Sequence, residues 1–192
     1  ASLVGSEMCI RDRYTAAYNA DDSKIKLKID HTYRVAALCE RIAKAAGMCA
    51  YDVELAWLSG MLHDVGRFEQ IKRYNTFSDA DSVDHARFGA DLLFKDGLIS
   101  TFLKGMVKCT GYKPGALEDR YGSDGVFLYN KLNKSDMEML ELAIRCHNMY
   151  RIPQGLNRRE QAFCNVLRDA DKVDIFKVNI DTPLEEIYNT TT

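Results

Sequence analysis

The sequence predicts an all-α fold, a bundle of helices, on three observations. Apolar residues recur at spacings of three and four almost throughout the chain. Helix-capping residues stand ahead of several of these runs. The only four histidines, His31, His63, His85 and His147, fall in separate helical segments. A strand-rich fold is disfavoured, because the periodicity is helical nearly everywhere.

The elements follow in order. Segment 23–46 reads as a long amphipathic helix ended by Gly47, with the stripe Leu27, His31, Val35, Leu38, Ile42. Segment 52–63 opens on Asp52 as a cap and ends at the pair His63-Asp64. Segment 83–95 carries His85, Phe88, Gly89 and Leu92 on one face and closes near Gly97. Segment 98–108 is a weaker helix. Residues 110–131, rich in glycine and aromatics, read as a long loop or hairpin, and loops of that length are more often functional or mobile than inert. Segment 136–150 follows a capping box, Ser135 with Glu138, and carries Met137, Leu140, Ile144 and His147 on one stripe. Segment 158–178 follows Asn157 with Glu160, another box, and turns Phe163, Leu167, Ala170, Asp171 and Asp174 inward.

Bulk composition sets limits. At 192 residues the chain is most simply one domain with room for a sizeable core. With 46% hydrophobic and 28% charged residues it has the make-up of an ordinary globular protein. A net charge of −2 supplies no basic footprint for nucleic acid, so an anionic substrate needs a local basic or metal-rich pocket. The six cysteines form no Cys-x-x-Cys pair, and reduced thiols in a cytoplasmic protein are the expectation. No apolar run approaches the ~18 residues of a membrane span.

Both ends look foreign or cut. Residues 3–12, LVGSEMCIRD, are encoded in order by CTC GTG GGC TCG GAG ATG TGT ATA AGA GAC, which resembles a transposase-type sequencing adapter. Residues 1–13 are therefore expected to be translated adapter from an environmental sequence assembly, or a disordered tail, and are set aside. Thr182-Pro183-Leu184-Glu185-Glu186-Ile187 starts like a helix, and the chain stops at Thr192. The expected division is adapter over 1–13, one domain over 14–180, and a truncated helix from 181.

The histidines carry the chemistry. Singly, a histidine on an apolar stripe is commonly a satisfied core residue, and Asp171 can pair with Arg168 or Lys172. Together, His31, His85 and His147 lie on the apolar sides of separate helices and His63-Asp64 ends another, so the side chains converge inside a bundle. Asp64 and Asp171 are costly there unless paired or metal-bound. A divalent cation resolves that cost for all of them. Imidazole with carboxylate suits Fe, Mn, Zn, Co or Ni better than Mg.

Several strings carry a family resemblance. They are Asp30-His31-Thr32-Tyr33-Arg34-Val35-Ala36, Gly60-Met61-Leu62-His63-Asp64-Val65-Gly66-Arg67, Ala143-Ile144-Arg145-Cys146-His147-Asn148 and Arg168-Asp169-Ala170-Asp171-Lys172-Val173-Asp174. Over about residues 24–178 their order resembles the HD-domain superfamily of metal-dependent phosphohydrolases. The resemblance implies an HD-like helical bundle and His31, His63, Asp64 and Asp171 as ligands of a first metal. Asp171 is chosen over Asp169 because the family's last aspartate typically sits in an Ala-Asp-Lys/Arg string, and its helical phase is better. His85 and His147 stand where binuclear members place extra histidines, so one or two ions are expected, with Asp64 bridging.

Three departures narrow the comparison. Asn148 follows His147 where many binuclear members have a second histidine. The Gly-Tyr-Pro element of cyclic dinucleotide phosphodiesterases is absent after that point; Gly111-Tyr112-Lys113-Pro114 lies elsewhere. The Glu-Asp pair of (p)ppGpp hydrolases is replaced by Val65-Gly66-Arg67-Phe68.

The resemblance implies hydrolysis of a phosphoester or phosphoanhydride, of a small phosphorylated substrate such as a nucleotide, by metal-activated hydroxide. Arg67 stands where relatives often carry Lys and is expected to clamp a phosphate, with Lys172 a further candidate for the same work. Asp174, one helical step beyond Asp171, is expected to orient a ligand or a water. Two other readings share the ligand pattern: an HD-fold di-iron oxygenase, which would consume O2, and a non-catalytic nucleotide-sensing module, which would bind without turnover.

Overall fold

A computed structural model describes residues 18, 22–109 and 132–181. The expected adapter, the glycine-rich loop over 110–131 and the C-terminal helix start after 181 lie outside the described residues. Within them the chain is helical, and no strand occurs among the described residues.

The first helix, α1 (Ser23–Ala45), is capped by Asp22, whose carboxylate accepts from the Lys24 amide at 2.8 Å. Gly47, just past its end, has φ +70°, the left-handed conformation that stops a helix there. Helix α2 (Ala50–Leu62) starts two residues before the expected position. Asp52 is therefore not its cap: its carboxylate lies inside the first turn and accepts from Arg159 at 2.6 and 3.0 Å. Helices α1 and α2 pack so closely that a Cβ on Gly60 would lie 2.6 Å from the Ala36 Cα.

Helix α3 (Val65–Tyr74) has no counterpart among the expected elements. It buries Val65, Phe68 and Ile71 and stops at Asn75, which adopts φ 52°. Helix α4 (His85–Ala90) starts after Asp84, whose side chain accepts from the Ala86 and Arg87 amides, and widens into a π-helical stretch over Asp91–Lys95 before Gly97. Helices α3 and α4 meet backbone to backbone. A Cβ on Gly66 would stand 2.2 Å from the His85 carbonyl oxygen, and one on Gly89 would stand 2.8 Å from the Gly66 nitrogen. That crossing sets His85 beside Asp64.

Helix α5 (Leu98–Cys109) follows, and then α6 (Lys134–Cys146) and α7 (Arg158–Asp181). The cap of α6 corrects the expectation. The box is Asn133 with Asp136, not Ser135 with Glu138, and the helix ends at Cys146 with His147 as its C-cap rather than at 150. Asp136 wins the role because it is also held by Tyr51 at 2.6 Å and Arg159 at 2.7 Å, contacts that an exposed Glu138 cannot make. The Asn157 and Glu160 box stands as expected, with Asn157 accepting from the Arg159 and Glu160 amides.

The main core gathers Leu55, Leu58, Leu62, Leu93, Leu140, Ile144, Phe163 and Leu167, all with no exposed surface. Fully burying side chains of this kind contributes roughly 1.5–3 kcal/mol each. A smaller cluster of Ile25, Phe68, Ile71 and Phe77 seals one side of α3. Cys39, Cys146 and Cys164 are free buried thiols and Cys49 is a free exposed one; burial pushes the Cys39 and Cys164 thiols up to about 12. Among the described residues no helix is long and apolar enough to cross a membrane.

Candidate metal centre

The structure brings His31, His63, Asp64, His85, His147 and Asp171 together at the buried meeting point of α1, α2, α4, α6 and α7; every one is at most 4% exposed. Each reaches it by a local device. His31 and Asp171 project from the inner stripes of α1 and α7. His63 and His147 sit at the C-terminal ends of α2 and α6, where the last carbonyls have run out of helical donors four residues on. Their Nδ1 atoms take those carbonyls: His63 lies 2.7 Å from the Gly60 oxygen and His147 lies 2.6 Å from the Ile144 oxygen.

The other two histidines are backed by carboxylates. His31 Nδ1 lies 2.7 Å from Asp174 Oδ2, and Asp174 is gripped in turn by Arg34 through Nε at 2.6 Å and Nη2 at 3.0 Å. His85 Nδ1 lies 2.6 Å from Asp79 Oδ2, and Asp79 is gripped by Arg67 Nη1 at 2.7 Å. In all four rings Nδ1 faces an acceptor and so carries the hydrogen, which leaves the Nε2 lone pair for a ligand.

The Nε2 atoms then converge in two sets around one carboxylate. Asp64 Oδ2 is 3.5 Å from both His31 Nε2 and His63 Nε2, and Asp171 Oδ1 is 3.2 and 3.7 Å from the same two nitrogens. Asp64 Oδ1 is 3.5 Å from His85 Nε2 and 3.7 Å from His147 Nε2. Within each set imidazole faces imidazole: His31 Nε2 to His63 Nε2 is 3.3 Å and His85 Nε2 to His147 Nε2 is 3.1 Å. With hydrogens on Nδ1 neither contact is a hydrogen bond; each opposes two lone pairs. A cation between them turns that repulsion into ligation. The donor chemistry fits divalent metal at both sets, three donors with Asp64 shared and Asp171 added to the first.

The electrostatics agree. Burial drives the His85 imidazole down to about 4, against the pull of Asp79 and Asp64, so it is neutral at pH 7. Burial opposes ionisation of Asp64, but the Lys28 ammonium, 2.8 Å from Oδ2, leads the groups that outweigh it and hold the carboxyl well below its usual range. Asp79 and Asp174 follow the same pattern through His85 with Arg67 and through His31 with Arg34.

Four basic groups surround the carboxylates. Lys28 Nζ lies 2.8 Å from Asp64 Oδ2 and Lys172 Nζ lies 2.7 Å from Asp171 Oδ2. Arg34 serves Asp174. Arg67 spends Nη1 on Gln70, the Phe77 carbonyl and Asp79. Its Nε, 3.9 Å from Asp64 Oδ1, is buried and has no hydrogen-bond partner.

Lys28, Asp79 and the structural role of Asn148 were not found from the sequence. Lys28 precedes His31 by one helical turn, so it lies on the same face, and that phase was the available signal. Asp79 lies in the connection between α3 and α4, where no periodicity marks it. Asn148 donates to Asp84 at 3.0 Å and to Asp79 at 3.4 Å.

A family model described as HD domain matches residues 29–177. No curated protein and no solved structure matches the chain.

Proposed function

This chain belongs to the HD-domain family, and from that premise we propose that it is a metal-dependent phosphohydrolase acting on a phosphoester or phosphoanhydride of a small nucleotide-like substrate. One observation carries the reading: Asp64 divides its two oxygens between two imidazole pairs whose lone pairs face one another.

His31, His63, Asp64 and Asp171 would hold one ion, and Asp64, His85 and His147 a second, drawn from Fe, Mn, Zn, Co or Ni. Bound there, such ions supply Lewis acidity toward a phosphate oxygen and toward the attacking water. The chain supplies the rest. Asp64 is the shared anchor, and its lowered pKa keeps it anionic through the working range. The Arg67 Nε, with no partner, is the donor we assign to a substrate phosphate oxygen. Lys172 and Lys28, now on Asp171 and Asp64, are the mobile charges that would follow phosphate into the pocket. Asp174 holds His31 in the ligating tautomer. A cytoplasmic location is part of this proposal and rests on the expected reduced thiols.

Substitution Asp64→Ala should remove bound metal and hydrolysis together, with nucleotides, dinucleoside polyphosphates and generic phosphodiesters as the substrate screen. Hydrolysis retained by that variant rejects the mechanism. The same nitrogen and oxygen donors also suit two irons, so a di-iron oxygenase is the second reading. It requires O2 uptake by iron-loaded protein, which an oxygen electrode measures. A sensing module predicts binding without turnover, and the complete donor set counts against it.

A further inference from the structure

We propose that Asp79 is a positioning residue that governs whether the second ion binds, acting through His85 and itself held by Arg67, Gln70 and Asn148. The inference rests on the two-ion reading of the centre.

Asp79 belongs to no helix, yet it is bonded from three directions. Arg67 Nη1 and Gln70 Nε2, both on α3, reach Oδ1 at 2.7 and 3.0 Å. Asn148 Nδ2, just beyond α6, reaches Oδ2 at 3.4 Å. His85 Nδ1, at the start of α4, stands 2.6 Å from Oδ2 and 2.9 Å from Oδ1. Asn148 also donates to Asp84, the cap of α4, so it ties Asp79 to the helix that carries His85. Gln70 is fully buried and spreads over Asp79, Ser82 and the Val83 carbonyl, which fixes the connection from both ends.

Asp79, Asp84 and His85 are close enough to suggest a third cation site. The donor hydrogens of Asn148 already stand between the two carboxylates, so the grouping is an anchor rather than a cage.

The two ligand sets differ in how this anchoring can fail. His63 and His147 lean on backbone carbonyls, which no side-chain substitution removes. His31 leans on Asp174 in the first set, and His85 leans on Asp79 in the second. Removing the Asp79 charge frees the His85 ring to rotate or to move its hydrogen to Nε2, which closes the lone pair to an ion. The first set has no bond to Asp79.

The test titrates chelator-stripped protein with Zn2+ alone, by calorimetry and by elemental mass spectrometry of the bound metal. Wild type, Asp79→Asn, Asn148→Ala and His147→Ala are compared, the last to identify which Kd belongs to the second set. Asp79→Asn should weaken that Kd by about 10–100-fold and leave the other within about twofold. Asn148→Ala should weaken the same Kd by a few-fold. Both Kd values unchanged in Asp79→Asn, or both weakened together, overturns the proposal. If Asp79→Asn lacks native helical signal, Asn148→Ala decides alone, because it leaves the Asp79–His85 bond in place; an unchanged second Kd then overturns it. Wild-type protein that binds fewer than two ions fails earlier, at the two-ion reading, and so is a separate result.

Discussion

His85 Nε2 and His147 Nε2 lie 3.1 Å apart although each ring has already given its Nδ1 hydrogen, to Asp79 and to the Ile144 carbonyl. The same relation holds between His31 and His63 at 3.3 Å. Buried polar atoms without partners destabilise a fold, and four imidazole lone pairs turned on one another are such a group.

Metal should therefore stabilise the protein strongly. Each site contributes about 4 kcal/mol when free ion stands a thousandfold above its Kd. Scanning calorimetry of the stripped protein, with and without excess Zn2+, is expected to show a clear rise in Tm. An unchanged Tm would count against ligation by these residues.

The glycine crossing of α3 and α4 should be intolerant. Gly66→Ala puts a methyl 2.2 Å from the His85 carbonyl and 2.8 Å from the Gly89 nitrogen, both backbone atoms that cannot swing aside. The helices must separate, at a cost of about 1–3 kcal/mol or more. Because the displaced strand of backbone carries His85, bound metal should fall toward one ion per chain. Urea unfolding and metal stoichiometry measure the two effects, and an alanine variant of wild-type stability would show that the crossing is looser than described.

Asp136 supplies a pH test remote from the metal ligands. Burial opposes its ionisation, but Tyr51, Arg159 and the Asn133 amide outweigh this and lower its pKa from 3.8. The unfolded state thus takes up the proton first as pH falls. Its stabilisation is complete above the unfolded value and is lost as pH drops through the folded one. Asp136→Asn should cost about 1–3 kcal/mol at neutral pH and flatten the acid side of the stability curve. Urea midpoints between about pH 2.5 and 7 check the slope. Parallel curves for variant and wild type would rule this carboxylate out as a source of the acid sensitivity.

The histidines were legible in the sequence because each is tied to a local pattern. His31 and His147 sit in apolar stripes, and His63-Asp64 closes one. Asp171 stands in helical phase with Phe163, Leu167 and Ala170. Caps were less legible. Asn157 with Glu160 is local and stands as expected. Asn133 displaced Ser135 because its partner Asp136 is chosen by Tyr51 and Arg159, far away in the chain. Helix α3 was missed although Val65, Phe68 and Ile71 are helically spaced, since the His-Asp doublet read as an end rather than a bend.

The sequence by itself determined every described helix but α3, the family and the six residues that meet at the centre, since periodicity and motif strings are properties of neighbours along the chain. Tertiary structure alone decided which ring nitrogens face inward. It also split the oxygens of Asp64 between two pairs, and drew Asp79 and Asn148 out of unpatterned connections to hold His85. Those outcomes depend on distances between α1, α3, α4, α6 and α7, and on a glycine pair that lets two backbones touch. Spacing along the chain carries no record of either.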